Sequence, residues 1–344
     1  MLLRTLDYEE QFRCLAGRCP HSCCVGWEVM LDEDHARRYL SGDDPLSRRA
    51  VEAMVYDETE DAFAFPLSGG RCPFLDGEDL CALHRAWGAE ATPLTCQTHP
   101  RFTEDYGPFA ERALSAACPA ASTLLLGSRE PLGFRESETG EPGEEGDAWL
   151  PYLVPFRQRL YAALRDRSRP LRARLADFLT LCLLGDAVLA EAELEGTAPE
   201  DLLTLEGGTL EGELPEKGIF PAGFRLLASL EALEADWRGV LREAETAAPV
   251  PQDEALLERI AVYFAYRSVL KCVNDGDLLG RGLYTVFLTL AAERIAAVRG
   301  LGEALRRLSR EVEHDADNVE ALLTAFREDG AFDVGCFLWE LRNS

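Results

Sequence analysis

A chain of 344 residues with 47% apolar side chains can bury a core without disulfides. Its 61 acidic and 35 basic residues give a net charge of -26, which repels a phosphate backbone and argues against nucleic acid as a partner. Residues 1–10 lack the apolar run of a signal peptide, and no apolar run approaches the ~20 residues needed to cross a bilayer, so a cytoplasmic protein with no membrane segment is expected.

The first elements surround thiols. Residues 14–24 hold Cys14, Cys19, Cys23 and Cys24, and Cys72, Cys81, Cys96 and Cys118 follow. Alternation over residues 27–31 predicts a short strand, after which Asp32 or Asp34 can cap a helix running to Leu40. Residues 41–45 read as a polar loop. Two extended pieces, 63–67 and 71–75, flank the Gly69-Gly70 turn, and a helix is expected to end near Gly88. Cys118-Pro119 opens another helix, with proline in its first turn.

Residues 131–148 carry many acids and glycines and little that is apolar, which marks an acidic loop or linker. From residue 149 to 344 the period turns helical, with stripes over 150–164, 171–182 and 224–241. Residues 255–273 and 278–298 are strongly apolar and predict a central helical hairpin joined by Asn274-Asp-Gly-Asp277. Asp317-Asn-Val-Glu320 has capping-box spacing and predicts a helix start. The expected fold is mainly α: a small Cys-rich N-terminal module with short β elements over 1–130, then a helical domain.

Eleven cysteines, an odd number, in a chain read as intracellular argue for metal ligands rather than a disulfide framework. Cys182, Cys272 and Cys336 lie within apolar helical patterns and belong to the core. The other eight admit two readings. Zinc commonly uses paired knuckles with His21, His84 or His99 available as nitrogen donors, but the adjacent Cys23-Cys24 fits that spacing poorly. An iron–sulfur cluster takes thiolates, and Cys-Pro recurs at Cys19, Cys72 and Cys118, as at the end of the bacterial ferredoxin run. The cluster is the better fit and zinc stays the alternative.

Cys19-x3-Cys23-Cys24-x2-Trp27, Arg71-Cys72-Pro-Phe-Leu75, Leu80-Cys81, Cys96-x2-His-Pro-Arg101 and Leu114-x3-Cys118-Pro-Ala resemble the motifs of the flagellin lysine-N-methylase family. Leu308-Ser-Arg-Glu-Val-Glu-His314, with Asn318, is similar to that family's C-terminal motif, and Asn274-Asp-Gly-Asp-Leu278 matches in the same way. The resemblance implies a cytoplasmic enzyme that methylates lysine amines of flagellin, with S-adenosylmethionine as donor and a 4Fe-4S cluster in the cysteine module. Trp27, His99 and Arg101, inside these motifs, become the candidate cofactor-binding residues. His99 departs from the family, which carries an aromatic residue there, usually tyrosine.

Two familiar donor sites are missing from the sequence. No strand leads into a G-x-G loop and helix, and the C-x3-C-x2-C spacing of radical enzymes is absent because Gly26 follows Cys19 and Cys23. Polar methyl transfer, with the methionine end of the donor held at an incompletely ligated iron, is therefore the expected chemistry. Transfer needs a neutral amine, and an unperturbed lysine has a pKa near ~10.4, so a base is required. Glu313 with His314, and Asp275 or Asp277, are the candidate catalytic groups. Against them stand plainer roles, an exposed charged helix end for the first pair and turn chemistry for the second. The alternative function is a non-catalytic iron–sulfur or zinc protein using its helical body for interaction. Only Lys217 and Lys271 are lysines, which codon bias explains and which also suits an enzyme that alkylates lysine.

Overall fold

A computed structural model describes residues 1–58, 61–208 and 215–343. It is mostly helical, and among the described residues its short strands lie within the first 138. In chain order these begin with β1 (Leu2–Leu6), β2 (Val29–Leu31), α1 (Glu33–Ser41), α2 (Pro45–Ala53), β3 (Val55–Asp57), β4 (Ala62–Phe65), α3 (Ala82–Trp87) and α4 (Leu94–Thr98). Then come β5 (Arg101–Asp105), β6 (Phe109–Leu114), α5 (Pro119–Leu125) and β7 (Phe134–Glu138). The helical part follows as α6 (Leu150–Arg165), α7 (Leu171–Glu195), α8 (Phe220–Ser229), α9 (Trp237–Thr246), α10 (Glu254–Ser268) and α11 (Cys272–Asp275). It closes with α12 (Leu278–Arg299), α13 (Leu301–Leu308), α14 (Ala316–Glu328) and α15 (Val334–Asn343).

The chain forms two compact units whose limits differ from the expected 1–130 and 149–344. One unit takes Gln11–Phe102 and Leu114–Ser122; the other takes Met1–Glu10, Thr103–Ala113 and Thr123–Ser344. The cause lies in long-range strand pairing that periodicity cannot report. β1 runs parallel to β6 and antiparallel to β7 in a sheet of order β5-β6-β1-β7, which enlists both ends of the cysteine-rich segment for the helical unit. β7 also crosses the acidic stretch expected to be loop. Its partner β1 supplies the order that its own composition does not, pairing Thr5 with Arg135 and Leu6 with Phe134.

The helical unit is built on α10 and α12, the expected hairpin. Ile260, Phe264, Val286, Leu290 and Ile295 are fully buried, as are Leu175 and Phe178 of α7. A bidentate ion pair lies inside it: Arg157 of α6 donates to both carboxylate oxygens of Glu111 on β6, one bond being 2.6 Å, with side chains only 2% and 3% exposed. Cys182, Cys272 and Cys336 are buried, as their helical patterns required. Two helix starts differ from expectation. The stripe over 224–241 is broken between α8 and α9, where Leu233 and Glu234 donate backbone N–H groups to the buried Glu311 carboxylate. α14 is capped by Asp315, whose side chain accepts from Asp317 and Asn318, two residues before the capping-box position. Asn318 is instead buried, donating to the carbonyls of Glu231 and Glu311.

The cysteine-rich unit has its own small core around a second sheet of order β2-β4-β3. Tyr39, Ala50, Phe65 and Phe74 are buried completely or almost so, and Tyr39 donates to the carbonyl of Ala91 at 2.6 Å. Among the described residues no helix is long and apolar enough to cross a membrane.

Candidate metal centre

All eight module cysteines fall in the cysteine-rich unit, and all are free thiols. Backbone pairing gathers four of them from four separate segments. The N–H of Cys72 donates to the carbonyl of Cys24 at 2.8 Å, and Val25 bridges Arg71, so these two segments run side by side. Gly26, at φ 99, allows the turn that follows Cys24 and donates to the carbonyl of Gly70 at 3.1 Å. A bridge between Leu75 and Cys81, with the Ala82 N–H on the Phe74 carbonyl at 2.8 Å, folds Cys81 back toward Cys72. Cys24, Cys72 and Cys81 all pack into the unit's hydrophobic cluster.

Cys96 enters on α4. Asp32 caps α1 by accepting from the His35 N–H at 3.1 Å and also accepts from the Leu94 N–H at 2.8 Å, tying the start of α4 to the start of α1. Thr95 adds a bond to the Met30 carbonyl. Sequence reasoning found Asp32 as a cap but not as the anchor of the Cys96 helix.

Electrostatics give the same grouping. Burial pushes the Cys96 thiol up, and Cys24, Cys81 and Cys72 push it further. Burial raises Cys72 to about 11, with Cys24 and Cys81 adding to the effect. Cys81 is raised by burial, with a contribution from Cys24. Cys24 moves the other way, to about 7, because it accepts a hydrogen bond from the Cys23 thiol, aided by Ser22 and Arg71 against the cost of burial. Cys23 is raised for the complementary reason, as the donor, and by burial. Cys23 and Cys96 count as exposed residues, yet enough protein covers their sulfurs for burial to raise both.

Cys14 and Cys96 both act on Cys23, so Cys14 reaches this set through Cys23. Cys118 is raised by burial with contributions from Cys19 and Cys14, and none of these three acts on Cys96. Cys19 donates to the His21 carbonyl at 3.1 Å, and the Cys14 sulfur accepts from the Ala16 N–H at 3.4 Å. Among the described residues no three His, Cys, Asp or Glu side chains already stand at metal-holding spacing. The donor chemistry of Cys24, Cys72, Cys81 and Cys96 nevertheless fits a thiolate-ligated group, since the first three share one apolar cluster and the exposed Cys96 acts electrostatically with them.

The candidate cofactor-binding residues lie in the same unit. The rings of Trp27 and His99 are 6.0 Å apart and tilted by 46°, so the histidine serves as a ring neighbour of the tryptophan. The Arg101 guanidinium lies 5.0 Å from the Phe12 ring centre.

The candidate catalytic residues belong to the helical unit. Asp277 caps α12 and pairs with Arg327 at 2.9 Å, while Asp275 pairs with Arg281; both have the structural roles of a turn. Glu313 differs from the plain expectation of an exposed helix end. It closes a π-helical turn, Ser309–Glu313, and its side chain is 4% exposed. It accepts from Tyr263 Oη at 3.1 Å and from Ser309, and pairs with Arg267 Nε at 3.0 Å. His314 follows it, half-buried, at the end of the turn.

Fold and site together define a thiol-rich module joined to a helical body. Over 133 residues the chain is 27% identical to the flagellar biosynthetic protein FliU of Salmonella muenchen, covering 37% of this chain and 79% of that protein. It is 28% identical over 131 residues to a lysine-N-methylase of Salmonella typhimurium, and 28% identical over 130 residues to one of Salmonella choleraesuis. Those two matches span 33% and 32% of the relatives' own lengths. Over that stretch the chain is similar to these proteins. No family model matches, and no solved structure matches.

Proposed function

We propose that this protein transfers a methyl group from S-adenosylmethionine to lysine amines of flagellin in the cytoplasm, with a 4Fe-4S cluster held by Cys24, Cys72, Cys81 and Cys96. The observation that carries the reading is the convergence of these four thiols from four segments, in a chain whose relatives are named lysine-N-methylase. With four thiolate ligands such a cluster would leave no open iron for the donor, and it would instead tie the four segments together.

The transfer itself asks little of the chain beyond placement and a proton acceptor. The lysine nitrogen forms a bond to the methyl carbon, the carbon–sulfur bond breaks, and the pair returns to sulfur to give S-adenosylhomocysteine. One proton must leave the amine, which calls for a base at or near the lysine. Glu313 is the buried carboxylate among the catalytic candidates, and its bonds from Tyr263, Ser309 and Arg267 fix its orientation. Trp27 and His99 form the ring surface next to the thiol segments.

The test is mass spectrometry of flagellin incubated with the anaerobically purified protein and methyl-labelled donor. Lysines should gain labelled methyl groups with the wild-type chain and gain none with Cys24→Ser or Cys72→Ser. Unlabelled flagellin with a fully metal-loaded wild-type chain would contradict the proposal.

A further inference from the structure

We propose that Glu311 and Asn318 are positioning residues for the methyl transfer, locking the π-helical turn Ser309–Glu313 so that the Glu313 carboxylate stays fixed on Tyr263 and Arg267. The inference rests on the lysine-methylation reading, in which Glu313 takes the amine proton, and adds what holds that group in place.

A π-helical turn is uncommon, occurs mostly as a single turn, and is frequent at functional sites. Here it follows α13 and carries two buried carboxylates that face different elements. Glu313 reaches Tyr263 and Arg267 of α10, whereas Glu311 turns to the connection between α8 and α9. Wound as an α-helix, at about 100° per residue, the same five residues would swing Glu313 away from α10. The register of the turn therefore decides where Glu313 points.

That register is held from outside the turn. Both Glu311 oxygens are occupied, one by the Leu233 N–H at 2.7 Å and the other by the Glu234 N–H at 2.9 Å, which makes this carboxylate a support for backbone amides. The turn ends at His314, so its last carbonyls take donors from elsewhere. The Glu311 carbonyl accepts from the Asn318 side-chain amide at 2.8 Å. The same amide donates to the Glu231 carbonyl at 2.9 Å, and its oxygen accepts the Glu231 N–H at 3.1 Å. Asn318 thus joins the turn to the segment 231–234. That segment is anchored in its own right, because Glu234 pairs with Arg306 at 2.9 Å and with Arg307 at 3.1 Å on α13. Glu311 and Asn318 therefore act through the backbone that carries Glu313.

The experiment compares Asn318→Ala, Glu311→Gln and Glu313→Gln, alone and in pairs, in the anaerobically purified full chain with labelled donor and flagellin. Asn318→Ala and Glu311→Gln should each lower kcat about tenfold with KM for flagellin unchanged, while keeping the wild-type circular dichroism and iron content. Either change added to Glu313→Gln should cost nothing further, because all act through one carboxylate. Glu311→Gln keeps the side-chain shape and carries the test should Asn318→Ala not fold. Additive losses, or a raised KM at constant kcat, would assign Glu311 and Asn318 a general structural role and overturn the proposal. So would full kcat in Glu313→Gln. A crystal structure of Asn318→Ala or Glu311→Gln should show Glu313 displaced from Tyr263 and Arg267, and Glu313 left in place overturns the proposal whatever the activity. If the wild-type chain methylates no flagellin, the activity reading fails and this structure alone decides the positioning claim.

Discussion

The Cys72 N–H donates to the Cys24 carbonyl at 2.8 Å, so two thiols far apart in sequence are set on neighbouring strands of chain. Cys81 and Cys96 reach the same place by separate ties, through the Leu75–Cys81 bridge and the Asp32–Leu94 bond. The grouping thus depends on backbone geometry as much as on the cysteines.

Asp32 should matter to the site although it touches no sulfur. Asp32→Ala removes the α1 cap and the tie to α4, at a cost of about 1–2 kcal/mol by denaturant unfolding. Cys96 should then react faster with a thiol reagent than in the wild-type chain.

The Asp32–His35 pair also sets a pH window. Burial alone would lower His35, but its bond with Asp32 at 2.7 Å raises it above 6.5, so its contribution to stability is complete below 6.5 and fades as pH rises through the higher folded value. Burial alone would raise Asp32, but the N–H groups of Leu94 and His35 and the His35 ring lower it from 3.8 to about 2. Its contribution is present above 3.8 and lost as pH falls toward 2. Thermal unfolding of His35→Gln should differ most from wild type near about pH 5, where both contributions hold, and the difference should shrink on the alkaline side.

Glu111→Ala leaves Arg157 charged and buried, which costs about 3–5 kcal/mol. The double change Glu111→Leu/Arg157→Leu removes both charges and should cost less than the single one. Equilibrium unfolding of the two variants decides this; equal losses would mean that desolvation of Arg157 is not the dominant effect.

Gly223 on α8 faces Phe287 of α12, where an added Cβ would lie 2.4 Å from the ring. Alanine gains up to about 1 kcal/mol in helix propensity. Overpacking against a fully buried ring costs about 1–3 kcal/mol, so Gly223→Ala should lower the unfolding midpoint.

Much of this was legible in the sequence because it is local. The thiol spacing, the Asp32 cap, the helical stripes of α6, α7, α10 and α12, and the buried Cys182, Cys272 and Cys336 all follow from short-range pattern. The unit limits were not, because β1, β6 and β7 pair across more than a hundred residues and no periodicity records a partner. The backbone ties that bring the Cys24, Cys72, Cys81 and Cys96 segments together were hidden for the same reason. Glu313 was found as a charge near a helix end, but its burial comes from Tyr263 and Arg267 on another helix.

The most direct measurement is iron and acid-labile sulfide in anaerobically purified wild-type chain and in single serine variants of Cys14, Cys19, Cys24, Cys72, Cys81, Cys96 and Cys118. The account requires about four irons and four sulfides per wild-type chain, lost in the variants at Cys24, Cys72, Cys81 and Cys96 and retained at Cys14, Cys19 and Cys118. A wild-type chain without iron or sulfide, or loss confined to Cys14, Cys19 and Cys118, would contradict it.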